Sequence, residues 1–438
     1  MTPDELKQNV ETIAIVMMEN RSFDHVLGHL RAPQFGNMQE VEGIANLHDP
    51  NFVNPNLQGV GYAPYFAPDA GFVSDLPHGE RDVATQLAPS LINGSFGMNG
   101  FVKAFELKYH TSVERPPPLH LLDPSGAPVT SALAQAYTLC DHWFASIPTY
   151  TAPNRLMALC GYYTKQKGPL LPNQDTVYEW LSKHGVRWRV YSAGFPFITL
   201  MPKFLPMLLT THFRRLEQLP QDLASEPPDQ RPQVIFIEPE YYDTPVHLGS
   251  PCDNHPPLSM APGEAFVAKV YGWLSAHQEL WSKLVMILNY DEHGGFWDHV
   301  PPPRISYHNA SVTFSSTGPR VPGVLVGPFA PRRVCKTTLD NTAVLQLLAD
   351  RFGKPGELYS AEVAARARAG IGSIAKELAL GAPAAAKPLP LVQPAPPKPA
   401  QPNTSSSLYQ GYDQATRQLL LRHRAEALQK YPELAKLH

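Results

Sequence analysis

The chain predicts an α/β fold: a central, mostly parallel sheet with helices on both faces. Three observations carry this prediction. Apolar or β-branched runs recur at residues 12–18, 186–191, 233–237, 284–288 and 321–326. Between several of them lie segments of helical period, from Val129 to Leu139, Glu264 to His277 and Asn341 to Phe352. That alternation is the pattern of strands joined by crossover helices, which bury a sheet on both sides. Finally, two of the runs end in dense acidic clusters, and in open α/β sheets ligands bind at the carboxyl ends of the strands.

Taken in order, the run Thr12-Ile13-Ala14-Ile15-Val16-Met17-Met18 gives way to Glu19-Asn20-Arg21-Ser22-Phe23-Asp24-His25. Residues 29–80 follow, rich in Asn, Gly, Pro and aromatics without periodicity; a loop of this length in a compact domain is expected to be an ordered insertion beside a site. In the middle lies Ala145-Ser146-Ile147-Pro148-Thr149-Tyr150-Thr151-Ala152-Pro153-Asn154-Arg155. A hydroxyl followed by Pro-Asn-Arg reads as a nucleophile, Thr151, with Arg155 to neutralise phosphoryl oxygens. It reads equally as a turn and helix start. Residues 195–231 form a second insertion, whose apolar, Pro-broken part (195–220) is expected to be either a lid or lipid-facing wall, or an internally packed irregular segment.

The run 284–288 gives way to Asn289-Tyr290-Asp291-Glu292-His293-Gly294-Gly295-Phe296-Trp297-Asp298-His299. Asp340 or Asn341 is the expected N-cap of the helix carrying Val344, Leu345, Leu347 and Leu348. Residues 1–380 are thus read as one catalytic domain. Residues 381–402, rich in Ala, Pro and Lys, read as a semi-rigid linker. Residues 403–438 read as a helical segment with Leu419, Leu420, Ala427 and Leu428 on one face, docking back on the domain or serving a partner.

Composition narrows the function. The 438 residues are 43% hydrophobic and 17% charged, with 47 prolines, an ordinary globular balance with many ordered loops. A formal net charge of −3 offers no basic stripe, which excludes a nucleic-acid backbone as a partner. The four cysteines fit no metal spacing; Cys140 and Cys160 would pair only in an oxidising compartment and otherwise stay as buried thiols. No charged-then-apolar leader is visible at Met1-Thr2-Pro3-Asp4-Glu5, so the chain reads as cytoplasmic, or exported by a route not evident in its sequence.

Carboxylates gather against their own repulsion when a cation or a proton holds them together. Glu19 and Asn20 at one strand end, with Asp291 and Glu292 at another, supply oxygen donors suited to a hard divalent cation such as Mg, Ca or Mn. The bland reading is that Asn20 caps a helix and one acidic pair alone is functional. His78, His255 and His299, with His25 and His293 flanking the clusters, are candidate proton donors and phosphate ligands.

These strings, Glu19 to His25, Thr151 to Arg155 and Asp291 to Val300, resemble the bacterial and plant phosphoesterase family, which contains non-specific phospholipases C and acid phosphatases. Met98-Asn99-Gly100-Phe101 and Asn254-His255-Pro256 are similar to further family features, and the matches run in family order from residue 12 to about residue 350. The resemblance implies a three-layer fold of the alkaline-phosphatase type. It implies one divalent ion (Ca, Mg, Mn or Zn) held by Glu19, Asn20, Asp291, Glu292 and Thr151, with Thr151 forming a phospho-enzyme. It further implies that His78, His255 and His299, together with Asn20 and Arg155, act on the phosphate or the leaving group, while Asp24, His25, His293 and Asp298 brace the site. The expected substrate is a phospholipid, cleaved in phospholipase C fashion with transient contact to a membrane surface, or alternatively a phosphomonoester. A non-catalytic, metal-stabilised binding protein is the competing class, and a sulfatase is disfavoured by the absence of a Cys/Ser-x-Pro-x-Arg segment. The chain departs from the family in lacking the C-terminal β-domains and the export signal that many members carry; members are often secreted or periplasmic.

Overall fold

The computed structural model describes residues 1–437 apart from 70, 73, 112, 248, 311, 382–384 and 392–402. Eight strands form the central sheet: β1 (Thr12–Met18), β2 (Thr138–Cys140), β3 (Trp188–Ser192), β4 (Phe213–Arg215), β5 (Val234–Glu238), β6 (Leu284–Tyr290), β7 (Gly323–Val326) and β8 (Arg333–Cys335). Their spatial order is β8-β2-β7-β6-β1-β5-β3-β4. Only β7 runs against its neighbours, β6 and β2; every other pairing is parallel. The sheet is therefore mostly parallel, as the alternating runs predict.

Every residue of β5 and β6 is buried, and so is β1 except for half-exposed Met17. Successive side chains point to opposite faces, so both faces are covered. The helices Pro3–Asn9, Thr151–Cys160 and Thr342–Phe352 pack together as one group, and Pro128–Ala136 packs with Ala261–Ala276 as another. The result is three layers.

Several local expectations change. The helix read as running to Leu139 stops at Ala136, and Thr138–Cys140 is a strand, because these three residues fill the slot between β7 and β8. At the start of Thr342–Phe352, Asp340 Oδ1 accepts the Thr342 N–H at 2.8 Å, while the Asn341 side chain turns inward. None of the cysteines forms a disulfide, and the residue paired with Cys140 in register is Cys335, not Cys160.

The stretch from 195 is neither lid nor lipid-facing wall. Phe195, Phe197, Ile198, Leu200, Met201, Phe204, Leu205 and Leu208 are all buried, and the C-terminal helix Ser407–Lys430 lies against them. That helix presents Tyr412, Ala415, Leu419 and Ala427 to the domain and breaks its helical backbone at His423. Near its end the Lys430 ammonium donates to the carbonyls of Leu208, Thr210 and Phe213. Most of the expected linker lies outside the described residues; within its described part, Lys387 is bonded through its backbone to the hydroxyls of Tyr137 and Tyr271.

One buried acid makes a stability prediction. Glu264 caps the helix Pro128–Ala136, accepting the N–H groups of Val129 and Thr130 at 2.5 and 3.0 Å and the Thr130 hydroxyl. Burial nevertheless raises its pKa from 4.5 to about 7. A carboxyl raised in the folded state binds its proton more tightly there, so its contribution is full below the unfolded pKa and lost as pH rises through about 7. The loss amounts to about 3 kcal/mol. Glu264→Gln keeps the cap without a titrating proton, so the fall in Tm between pH 4.5 and pH 7 should be smaller in the variant than in the parent; parallel curves would refute the assignment.

Candidate active site

The two acidic clusters meet because of strand register. β1 and β6 are parallel neighbours with Met18 opposite Tyr290, so the next residues, Glu19 and Asp291, emerge side by side at the carboxyl edge. Backbone pairing continues past the strands: Asp291 N donates to Met18 O at 3.2 Å, and Arg21 N to Glu292 O at 3.1 Å. Asn20 has φ +59°, a left-handed conformation that Asn tolerates better than most residues. Its N–H donates to Asp291 Oδ1 at 3.1 Å.

The Gly-Gly pair that follows is required by close approach. A Cβ on Gly294 would sit 2.0 Å from the Asn20 carbonyl, and one on Gly295 would sit 2.5 Å from that of Pro77. Both residues have positive φ. Glycine thus lets the second acidic loop press against the first and against the loop carrying His78.

Thr151 is the first residue of the helix Thr151–Cys160, and no side chain caps that helix end. The Asn154 side chain fixes the preceding turn, accepting the Ile147 N–H and donating to the carbonyls of Ile147, Thr149 and Tyr150. The Pro-Asn pair is therefore helix-start chemistry, and it serves to present Thr151. The Thr151 hydroxyl donates to Asn20 Oδ1 at 3.2 Å. It stands at the positive end of a helix dipole, a setting that favours an anion.

Around this hydroxyl the charges are unbalanced. Glu19, Asp291 and Glu292 are buried, and burial raises the pKa of each, Glu292 to about 8. Mutual repulsion with Asp291 adds to the shift in both glutamates. The nearby cation is Arg155, whose Nε lies 3.1 Å from Glu19 Oε1 and 3.6 Å from Asp291 Oδ2. Its other donors go to the Tyr241 hydroxyl and the carbonyls of Met17 and Met18. Arg155, expected at phosphoryl oxygens, is here the counter-charge of Glu19 and Asp291, with its terminal nitrogens bonded within the protein.

Asp291 Oδ2 and Glu292 Oε1 are buried without a hydrogen-bond partner. Three buried carboxylates share the Arg155 guanidinium as counter-charge, and their oxygens, two of them orphaned among the described residues, are of the type that suits a hard divalent cation. The residues present fit such an ion. Asn341 holds the strand end in place, accepting from Trp143 Nε1 and Asn289 Nδ2 and donating to the carbonyls of Tyr290 and Asp291.

The histidines divide. His78 Nδ1 is bonded to Leu76 O at 2.7 Å, and its Nε2 lies 3.5 Å from Asn20 Nδ2 and 3.8 Å from Glu292 Oε1. The His255 ring centroid is 6.4 Å from that of His78. Burial opposes a charge on His255, but Asp75, Asp243, Asp253 and Glu19 outweigh it and raise its pKa to about 10. Its Nδ1 is bonded to Pro256 O, so Nε2 is the nitrogen left for a ligand.

His299 is placed elsewhere. Its Nδ1 lies 2.6 Å from Asp24 Oδ2, in a cluster with Asp298 and Arg320. The acids and His299 come close enough to hold an ion, but the Arg320 guanidinium already bridges Asp24 and Asp298. His299, expected at the phosphate, is here the ion-pair partner of Asp24. Asp24 and Asp298 are joined by the Asp24 N–H, which donates to Asp298 Oδ2 at 3.1 Å. His25 stacks on Phe296 with centroids 3.8 Å apart, and His293 is bonded to Gln86 Oε1; burial pushes both pKa values down, His293 to about 3.

Sequence reasoning passed over Asp75, Asp243, Asp253 and Gln86. One signal was available: β5 also ends in an acid-rich segment, Glu238 to Asp243. Asp253 accepts the N–H groups of Tyr242 and His255, and its carbonyl accepts that of Glu19 at 2.8 Å.

The model of the phosphoesterase family matches residues 10–355. Non-specific phospholipase C1 of Arabidopsis thaliana is 30% identical over 352 residues, covering 75% of this chain and 62% of that protein. Non-hemolytic phospholipase C of Burkholderia pseudomallei is 28% identical, covering 79% and 55%. The chain thus spans about six-tenths of the length of such curated relatives. Among solved structures, a protein of the alkaline phosphatase superfamily from Vibrio parahaemolyticus aligns at 10% identity and a TM-score of 0.35, covering 70% of this chain and 71% of that one.

Proposed function

Since the chain belongs to the phosphoesterase family, we propose that it hydrolyses phosphoric esters by the phospholipase C reaction, with Thr151 as a covalent nucleophile. The observation that carries this reading is the Thr151 hydroxyl at a helix N-terminus, bonded to Asn20, whose backbone N–H is bonded to Asp291 and whose side chain lies 3.5 Å from His78, itself 3.8 Å from Glu292. Phosphoryl transfer depends chiefly on positioning and charge neutralisation, which is what such a site offers.

In this reading Thr151 Oγ attacks phosphorus, an O–P bond forms, and the bond to the alcohol breaks. His78 and His255 are the groups placed to donate a proton to the departing oxygen. Water then cleaves the phospho-threonine and releases the phosphate product. Glu19, Asn20, Asp291, Glu292 and Thr151 would hold a divalent ion, which when bound polarises the phosphoryl oxygen and stabilises an alkoxide. The names of the relatives support a lipid diester as substrate; the apolar stretch from 195 does not, since it is buried.

The test compares release of phosphocholine from phosphatidylcholine with hydrolysis of a chromogenic phosphomonoester. Faster turnover of the diester, lost on chelation and restored by added divalent metal, is the expected result. Faster turnover of the monoester would make the protein a phosphatase. Metal-dependent thermal stabilisation with no hydrolysis of either ester would make it a binding protein.

A further inference from the structure

Resting on the phospholipid reading, we infer that the hairpin tip Leu91-Ile92 inserts into the lipid surface and docks the chain on its substrate. Both side chains are fully exposed, 103% and 98%, at the end of a hairpin closed by the Pro89–Phe96 bridge. Adjacent exposed aliphatics at a projecting tip are a marked departure for a soluble surface. No charged residue occurs from Val83 to Val102, so the tip can enter the acyl boundary without dehydrating an ion. At its flank Arg304 covers the Phe96 ring at 3.8 Å and donates to the Gly94 carbonyl, leaving a cation at headgroup level.

The hairpin is rigidly tied to the site. Its base packs Val83, Leu87, Met98 and Phe101 on Trp297, whose indole N–H donates to Met98 O at 2.8 Å. Gln86, three residues before the Pro89–Phe96 bridge, is bonded to Pro77 O and to His293. Leu91 is five positions on from Gln86, a reach of at most about 18 Å. A tip buried about 5–10 Å into the interface would thus hold the site near the phosphates.

A bilayer is the occupant the observations favour. Two side chains offer far less than the roughly 1,200 Å² that a stable protein interface buries, but they suffice for shallow insertion. The partition should weaken by about a hundredfold when both are made polar, from the transfer free energy of two aliphatic side chains.

The test is co-sedimentation with phosphatidylcholine vesicles, with and without phosphatidylserine, for the parent chain and the Leu91→Ser/Ile92→Ser variant. Leu91→Trp is used as well, its fluorescence reporting entry into an apolar medium. Binding by the parent, lost in the double variant, with a blue shift in the Trp variant, supports the proposal. A parent that stays in solution, or a double variant that binds equally, overturns it. So does a double variant whose gel-filtration volume changes while vesicle binding persists, which would assign the tip to a protein contact. Hydrolysis of a soluble short-chain phosphodiester is read in parallel and should not change; its absence in the parent would count against the phospholipase C reading alone, because vesicle binding is measured without turnover.

Discussion

Thr151→Ala is expected to lower hydrolysis of any phosphate ester by about 10⁴-fold or more, because the variant lacks the oxygen that forms the covalent intermediate. The fold should survive. Thr151 caps nothing in its own helix, and its hydroxyl makes a single bond, to Asn20 Oδ1. Loss of that bond costs about 1 kcal/mol. Thr151→Val sharpens the test by keeping the volume and β-branching of a buried residue while deleting the oxygen. Thr151→Ser should restore most of the activity. Parallel thermal melts and turnover of a chromogenic ester check the prediction, and activity in the valine variant within tenfold of the parent would remove Thr151 from the nucleophile role.

Much of this arrangement was legible in the sequence, and what was not has physical causes. β1 and β6 announce themselves as apolar runs, 12–18 and 284–288, that lead into acids, because strands buried on both faces need no alternation. That Glu19 lies beside Asp291 follows only from register between strands far apart in the chain, and it was the family resemblance of the flanking motifs that joined them. Short edge strands such as Phe213–Arg215 and Arg333–Cys335 carry arginines and too few apolar residues to declare themselves. The apolar stretch from 195 was ambiguous because its cover arrives some two hundred residues later, as a helix that sequence reasoning could place on the domain but not on that segment. Arg155 and His299 were assigned by residue type. The direction each points, toward Glu19 in one case and Asp24 in the other, is set by tertiary packing that spacing does not encode. Of the acids that charge His255, Asp75, Asp243 and Asp253 were missed for the same reason, Asp75 lying in one loop and the other two in the segment after β5.

Arg320→Lys is expected to destabilise the chain by about 3 kcal/mol, and Arg320→Met by about 3–5 kcal/mol, the range found when one partner of a buried charge network is removed. Arg320 is fully buried with its guanidinium 4.4 Å over the Phe23 ring. Its Nε donates to Asp298 Oδ1 at 2.8 Å and one terminal nitrogen to Asp24 Oδ1 at 3.0 Å. The other terminal nitrogen donates to the carbonyls of Glu42 and Asp141. A single planar fork thus ties the loop after β1, the loop after β6, the first insertion and the end of β2. Lysine retains the charge but not the geometry, and cannot reach four acceptors in fixed directions. Burial works against a charge on Asp24, yet His299 and Arg320 hold its carboxyl below the ordinary range; without the guanidinium Asp24 keeps only His299 and Asp298 is left buried without its cation. The triple variant Arg320→Met/Asp24→Asn/Asp298→Asn separates the two contributions. If unpaired charge is the main cost, the triple variant should recover much of the stability lost in Arg320→Met alone. Its ester turnover should stay low, since the loops bearing Glu19 and Asp291 have lost their common tie. Chemical denaturation read alongside turnover decides the matter: a stability for Arg320→Lys equal to that of the parent would show that the fork is not what holds these loops together.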